Sequence, residues 1–174
     1  MPPEAAPVTE PTAAGVLAAL RARGETLATA ESLTGGMLAA HLVDVPGASR
    51  VFRGGLVPYA TDLKATLVDV EKGLLDRLGP VAADVAMALA EGARRRCGAD
   101  WGLGTTGVAG PDPQDGKPAG TVFVGVAGPD GPPAVRALHL SGDRAAIRAA
   151  TVDEALALLA GKLDGTADVT DSDA

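Results

Sequence analysis

Aromatic residues are scarce: one Trp, one Tyr and two Phe stand among 174 residues, although 47% of the chain is hydrophobic. Rings therefore cannot fill the interior. The core must be Ala, Val and Leu packed closely, as where helices lie on a sheet. Cysteine is limited to Cys97, which excludes an intrachain disulfide. It follows Arg94, Arg95 and Arg96, whose guanidinium groups favour a thiolate, although a structural thiol is the simpler reading. Basic charge is short too, with 15 Lys and Arg against 22 Asp and Glu and a net charge of −7. That balance repels a polyanion and argues against non-specific nucleic-acid binding, while leaving room for one small phosphate. No apolar run approaches the roughly 18 residues that span a bilayer. The start, MPPEAAPVTEP, lacks a basic region followed by an apolar stretch, so no secretory signal is expected and a cytoplasmic location is.

Metal-binding patterns are missing as well. There is no His-Glu-x-x-His, no Cys-x-x-Cys and no clustered carboxylates, and His41 and His139 share no ligand spacing. Neither a metal nor a cofactor is expected. A serine hydrolase built from this chain would have to use lysine rather than histidine as its base.

Between a loose tail over residues 1–9 and an acidic tail over 164–174, residues 10–163 read as one domain of alternating helices and strands. Ala13 to Arg23 reads as a helix ended by Gly24, Thr26 to Ala30 as a strand, and Gly35 to Val45 as a helix stopped by Pro46. Phe52 to Tyr59 is strand-like, and Asp62 to Asp69 and Gly73 to Leu78 are short helices. Pro80 announces a longer helix, Val81 to Cys97. Asp100 to Thr105, Thr121 to Ala127 and Val135 to Leu140 read as strands. Asp143 then caps a final helix with Ala149, Val152, Leu156 and Leu159 on one face. The pattern predicts an α/β protein: a single three-layer α/β/α domain with a mixed, mainly parallel sheet. One antiparallel pair is implied by the short connection from Ala127 to Val135.

Four segments could carry chemistry. Thr29-Ala30-Glu31-Ser32-Leu33-Thr34-Gly35-Gly36 joins a strand to a helix, where α/β proteins form ligand crevices and backbone N–H groups hold anions or oxyanions. Alternatively, Thr34 caps the helix and the glycines ease the turn. The segment is neither a P-loop nor a Gly-x-Ser-x-Gly elbow. In the second segment a strand ends at Tyr59 and Lys64 falls in the first turn of the next helix. A lysine serves as a base only where burial or nearby cations lower its pKa from about 10.4; a solvated lysine near Asp62 is the plain alternative. Third, Gly102 to Pro111, with Thr105, Thr106, Gly107 and Gly110, is either a ligand cradle or a tight crossover. Last, Arg144 and Arg148 share one face at the start of the final helix. There they oppose the macrodipole by about 0.3–1 kcal/mol each, unless a phosphate, or pairing with Asp143 or Glu154, offsets them.

In this order the segments resemble the CinA C-terminal family of nicotinamide-nucleotide amidases. Glu31 to Gly36 is similar to its E-S-x-T-G-G signature, and Gly54 to Lys64 to G-G-x-V-x-Y-x-x-x-x-K. Gly107 to Pro111 and Lys117 to Val122 are similar to G-[IV]-A-G-P and K-P-x-G-T-V, and Gly142-Asp143-Arg144 to G-D-R. The resemblance runs from about Ala13 to Leu163. It implies conversion of nicotinamide mononucleotide and water to nicotinate mononucleotide and ammonia, in a cytoplasmic homodimer of the stand-alone form. Ser32 would be the nucleophile and Lys64 its general base, with Tyr59 sharing the proton network. Gly35, Gly36 and Thr105 to Gly107 would supply donors to the oxyanion or phosphate. Glu31, Thr34, Thr61, Thr106 and Gly110 would line the substrate site. Arg144 would contact the phosphate, and Arg148 joins it on spacing alone.

The chain also departs from that family. Ala60-Thr61-Asp62 stands where Ser-Asn-Glu is common, and Ala82 where serine is common. The rival expectation is therefore a catalytically weak nucleotide-binding or regulatory module of the same fold.

Overall fold

The computed structural model describes residues 10–166, which form six helices and five strands. The tail expected over residues 1–9, and residues 167–174 of the acidic tail, lie outside them. Asp164, Gly165 and Thr166 close the last helix instead of leaving it: the N–H groups of Gly165 and Thr166 donate to the carbonyls of Lys162 and Gly161.

Helix α1 (Ala13–Arg23) begins where the Thr12 hydroxyl accepts from the Gly15 N–H, and ends at Gly24, whose φ of 69° suits a residue without Cβ. Strand β1 (Leu27–Glu31) is buried throughout and leads through a turn into α2 (Met37–Val43). Then come β2 (Phe52–Leu56), α3 (Thr61–Val68), α4 (Lys72–Leu78) and α5 (Ala83–Cys97). Strands β3 (Trp101–Gly107), β4 (Thr121–Ala127) and β5 (Ala134–His139) precede α6 (Arg144–Leu163). Most ends fall within two residues of those expected. Strand β2 is shorter because Pro58 has no N–H to donate and the Tyr59 N–H turns back to the Val57 carbonyl at 2.8 Å.

The sheet order is β2-β1-β3-β4-β5. Strand β1 is parallel to β2 and β3, whereas β4 is antiparallel to both β3 and β5. Four strands thus point one way, as a mainly parallel sheet requires, but there are two antiparallel pairs rather than the one implied by the sequence. The second arises because the connection 108–120 contains no helix and simply turns back; a parallel return would need a longer crossover.

Helices α1, α2 and α6 cover one face, where Leu27, Leu103, Val124, Ile147 and Leu156 form part of the larger core. Helices α3, α4 and α5 cover the other, over Ala28, Ala30, Val68 and Leu89. Helix α5 lies unusually close to the strands. A Cβ on Gly102, Gly104 or Gly125 would stand 2.0, 2.5 and 2.3 Å from carbonyl oxygens of Ala90 and Ala86. Backbone resting on backbone is how a chain with so few rings still fills its interior.

Strands β1 and β3 are neighbours and parallel, yet the chain leaves β1 toward α2 and β2 on one side and reaches β3 only after α5. Their carboxyl ends open between these connections, which is the switch-point crevice of α/β sheets.

Candidate active site

Ser32 follows β1 directly and extends its ladder by one bond, its N–H donating to Thr105 O at 3.0 Å. The chain then turns, with Gly35 N–H donating to Ser32 O at 3.0 Å and φ values of 57° and 99° at Gly35 and Gly36. Both glycines are there because a side chain would strain that left-handed backbone. Three contacts hold the turn. The buried Glu31 carboxylate accepts from Leu38 N–H at 2.8 Å and Ala39 N–H at 3.1 Å, satisfying free donors at the start of α2. The hydroxyls of Thr34 and Thr105 meet at 2.8 Å. Arg148 on α6 donates Nε to Leu33 O at 2.9 Å and a terminal N–H to Thr34 O at 3.0 Å.

These contacts revise several expected roles. Glu31, Thr34, Thr105 and Arg148 are absent from the residues lining the cavity described below; they build the turn. Gly35 and Gly36 shape the turn, and the Gly35 N–H is already committed to Ser32 O. Thr34 does not cap α2 either: the N-cap position is Gly36 and the Thr34 hydroxyl is bound to Thr105.

Lys64 lies in the first turn of α3 and is only 1% exposed. Its Nζ donates to Ser32 Oγ at 3.0 Å, Pro58 O at 2.9 Å and Tyr59 O at 3.2 Å. Burial lowers its pKa from 10.5 to about 8, because a charged amine is disfavoured away from water. An ammonium donates to all three acceptors. A neutral amine has two N–H groups and one lone pair, so it can keep both carbonyls and accept the Ser32 proton. This is the arrangement a general base needs.

The dyad opens into a cavity of about 470 Å³. Ser32, Leu33 and Lys64 line it together with Tyr59, Thr61 and Arg144, and with Thr106, Gly107 and Gly110 of the segment after β3. All of these but Leu33 are expected site residues, and they are the ones the fold brings together. The Tyr59 phenol accepts from Arg144 at 3.1 Å, and it is the Tyr59 carbonyl that meets Lys64. The phenol therefore stands at the rim, outside the hydrogen bonds of the dyad. A second Arg144 N–H donates to Gly110 O at 2.7 Å. Glu154 pairs with Arg136 instead of either helix arginine, and Asp143 caps α6. The Thr106 hydroxyl donates to Pro80 O at 2.6 Å and holds the approach to α5.

Sequence reasoning missed Leu33, Val81, Asp112 and Gln114, all of which line the cavity. The helix-free stretch between β3 and β4 was the available signal for Asp112 and Gln114. Cys97 lies outside the lining and burial pushes its thiol up, against the opposing Arg53 charge. Among the described residues no group of three or more His, Cys, Asp or Glu could hold a metal, and no helix is long and apolar enough to cross a membrane.

A family model for the CinA C-terminal domain matches residues 9–163. The chain belongs to the CinA C-terminal domain family. A CinA-like protein of Frankia casuarinae is 53% identical to this CinA domain over 150 residues, covering 86% of the chain and 34% of that relative. A CinA-like protein of an Anaeromyxobacter strain is 52% identical over 147 residues, covering 83% and 35%. The chain thus spans about a third of the length of these curated relatives. A crystal structure of a competence-damaged protein (CinA) superfamily member from Klebsiella pneumoniae superimposes with a TM-score of 0.84 at 32% identity, covering 88% of this chain and 96% of that one. The competence/damage inducible protein CihA from Agrobacterium tumefaciens gives 0.81 at 32% identity, covering 84% and 90%.

Proposed function

We propose that this CinA domain is an amidohydrolase that converts nicotinamide mononucleotide and water to nicotinate mononucleotide and ammonia. The observation that carries the reading is the 3.0 Å contact between the buried Lys64 amine and the Ser32 hydroxyl. In the free-base form of Lys64, Ser32 Oγ attacks the carboxamide carbon while its proton passes to Nζ. The Oγ–C bond forms and the carbonyl π pair moves onto oxygen. When that pair returns, the C–N bond breaks, and the proton on Lys64 goes to the leaving nitrogen, which departs as ammonia. Water then attacks the acyl-serine and gives one proton to Lys64; the C–Oγ bond breaks, and the acid released loses its remaining proton to solvent as the carboxylate. Proton return to Ser32 restores the starting state.

Substrate choice rests on the family and on Arg144, whose guanidinium lines the cavity and suits a phosphate. The cavity volume also falls within the range of small-molecule sites. Ammonia release from nicotinamide mononucleotide should persist with a chelator and nearly vanish in Ser32→Ala. Unchanged release in that variant would remove Ser32 as nucleophile.

The rival reading, a nucleotide-binding module without turnover, draws on Thr61 and Ala82. Thr61 lines the cavity, whereas Ala82 occupies the N-cap of α5 without a side-chain bond and lies outside the lining. What a serine at Ala82 would add is a cap. Calorimetric binding of the mononucleotide with no ammonia above background would favour this rival. A cytoplasmic homodimer completes the proposal; a monomer in sedimentation at assay concentration would remove the dimer.

A further inference from the structure

The turn that carries Ser32 contains donors it does not use. Ser32 N–H is bonded to Thr105 O and Gly35 N–H to Ser32 O, leaving Leu33 and Thr34 at the corners. The N–H groups of Leu33, Thr34 and Gly36 have no acceptor among the described residues, and of these three only Leu33 lines the cavity, beside Ser32. The start of α2 does not compete for a developing charge, since Glu31 already takes the N–H groups of Leu38 and Ala39.

Direction is the remaining requirement. In a trans peptide, C=O and N–H point opposite ways, so fixing the carbonyls of a turn aims its N–H groups. The Gly35 bond fixes the Ser32 carbonyl, which sets the peptide carrying the Leu33 N–H. Arg148 fixes the next two carbonyls, Leu33 O and Thr34 O, at 2.9 and 3.0 Å, from a half-buried position outside the cavity. Thr34 O, which also accepts from Met37 N–H, shares its peptide with the Gly35 N–H that holds Ser32 O, so Arg148 acts on the Leu33 N–H through that bond. The planar guanidinium fork suits two adjacent acceptors; a lysine would reach them as a point donor. Arg144, one turn earlier on α6, does line the cavity. The two arginines, equivalent by spacing, therefore have different tasks.

We propose that the Leu33 N–H is the oxyanion donor for acyl transfer at Ser32, and that Arg148 is the positioning residue that aims it. The proposal rests on the amidohydrolase reading. As the Ser32 Oγ–carbon bond forms, the electron pair displaced onto the carbonyl oxygen meets this N–H, which stays fixed relative to the nucleophile because the two residues are adjacent.

The test compares wild type with Arg148→Lys and Arg148→Met in two readouts. One is steady-state ammonia release from nicotinamide mononucleotide. The other is the rate at which a fluorophosphonate labels Ser32, followed by intact mass, which needs no carboxamide. Arg148→Met should lower both kcat and the labelling rate by roughly tenfold to a hundredfold. KM should stay within about threefold, the pattern of an interaction made only in the transition state. The pH midpoint should not move, because Lys64 keeps its surroundings. Arg148→Lys should lose less, and it carries the comparison where Arg148→Met fails to fold. A lower melting temperature with kcat and labelling unchanged would make Arg148 merely structural and overturn the proposal. If wild type releases no ammonia, the amidohydrolase reading falls by itself and labelling decides the turn. Equal labelling in all three proteins, or none in wild type, overturns the role of Arg148.

Discussion

The floor and the rim of the cavity are built differently. At the floor, Ser32 and Lys64 are buried, as are Glu31, Thr34 and Thr105 behind the lining, and the side-chain polar atoms of all five meet partners at 3.2 Å or less. At the rim, Tyr59 is 56% exposed, and Thr61, Asp112, Gln114 and Arg144 are exposed as well. The floor is preorganised for one proton transfer. The rim has room to adapt to what the floor acts on. Substitutions at the floor should therefore appear in kcat, and those at the rim in KM.

The largest effect belongs to the dyad. Ser32→Ala and Lys64→Met should each lower kcat for ammonia release by roughly a thousandfold or more. A rim variant with a comparable kcat loss would blur the distinction.

The next effect concerns stability. The folded-state pKa of Lys64, about 8, lies below the ordinary 10.5. Between those values the unfolded chain binds more protons, so stability rises with pH. The gain should approach about 3 kcal/mol across that window. Urea unfolding of wild type and Lys64→Met at several pH values checks this: the difference between the two proteins should change over the window. A difference independent of pH would mean that burial does not perturb the amine.

At the rim, Arg144→Ala should raise KM for nicotinamide mononucleotide roughly tenfold to a hundredfold, the cost of a lost charge-assisted hydrogen bond. The riboside, lacking the phosphate, should be little affected, and equal effects on both would refute a phosphate contact. The smallest effect is expected away from both regions. Ala82→Ser supplies the missing N-cap of α5 and should stabilise by about 1 kcal/mol in denaturant unfolding, with kcat unchanged. A rise in kcat would instead give that hydroxyl a part in turnover.

The sequence made Ser32 and Lys64 legible because both sit where a strand leads into a helix, and parallel strands deliver such junctions to one edge. It could not distinguish residues facing a ligand from residues facing the loop. Thr34 is bound to a residue 71 positions away, and Leu33 to an arginine 115 positions away. Those partners exist only after folding, so Glu31, Thr34, Thr105 and Arg148 looked like ligand contacts. Tyr59 was misleading for another reason: its carbonyl and its phenol have different partners, and a motif does not separate them. The direction of β4 depended on whether residues 108–120 cross over or turn back, which their Gly and Pro content left open.

Whether Lys64 is the base can be tested most directly by measuring kcat/KM for ammonia release from nicotinamide mononucleotide against pH. A Lys64 base predicts a rise of about tenfold per pH unit on the acid side, levelling off with a midpoint near the lowered pKa of about 8. A profile flat between about pH 6 and 10, or one levelling off at the ordinary histidine value of about 6.5, would contradict it.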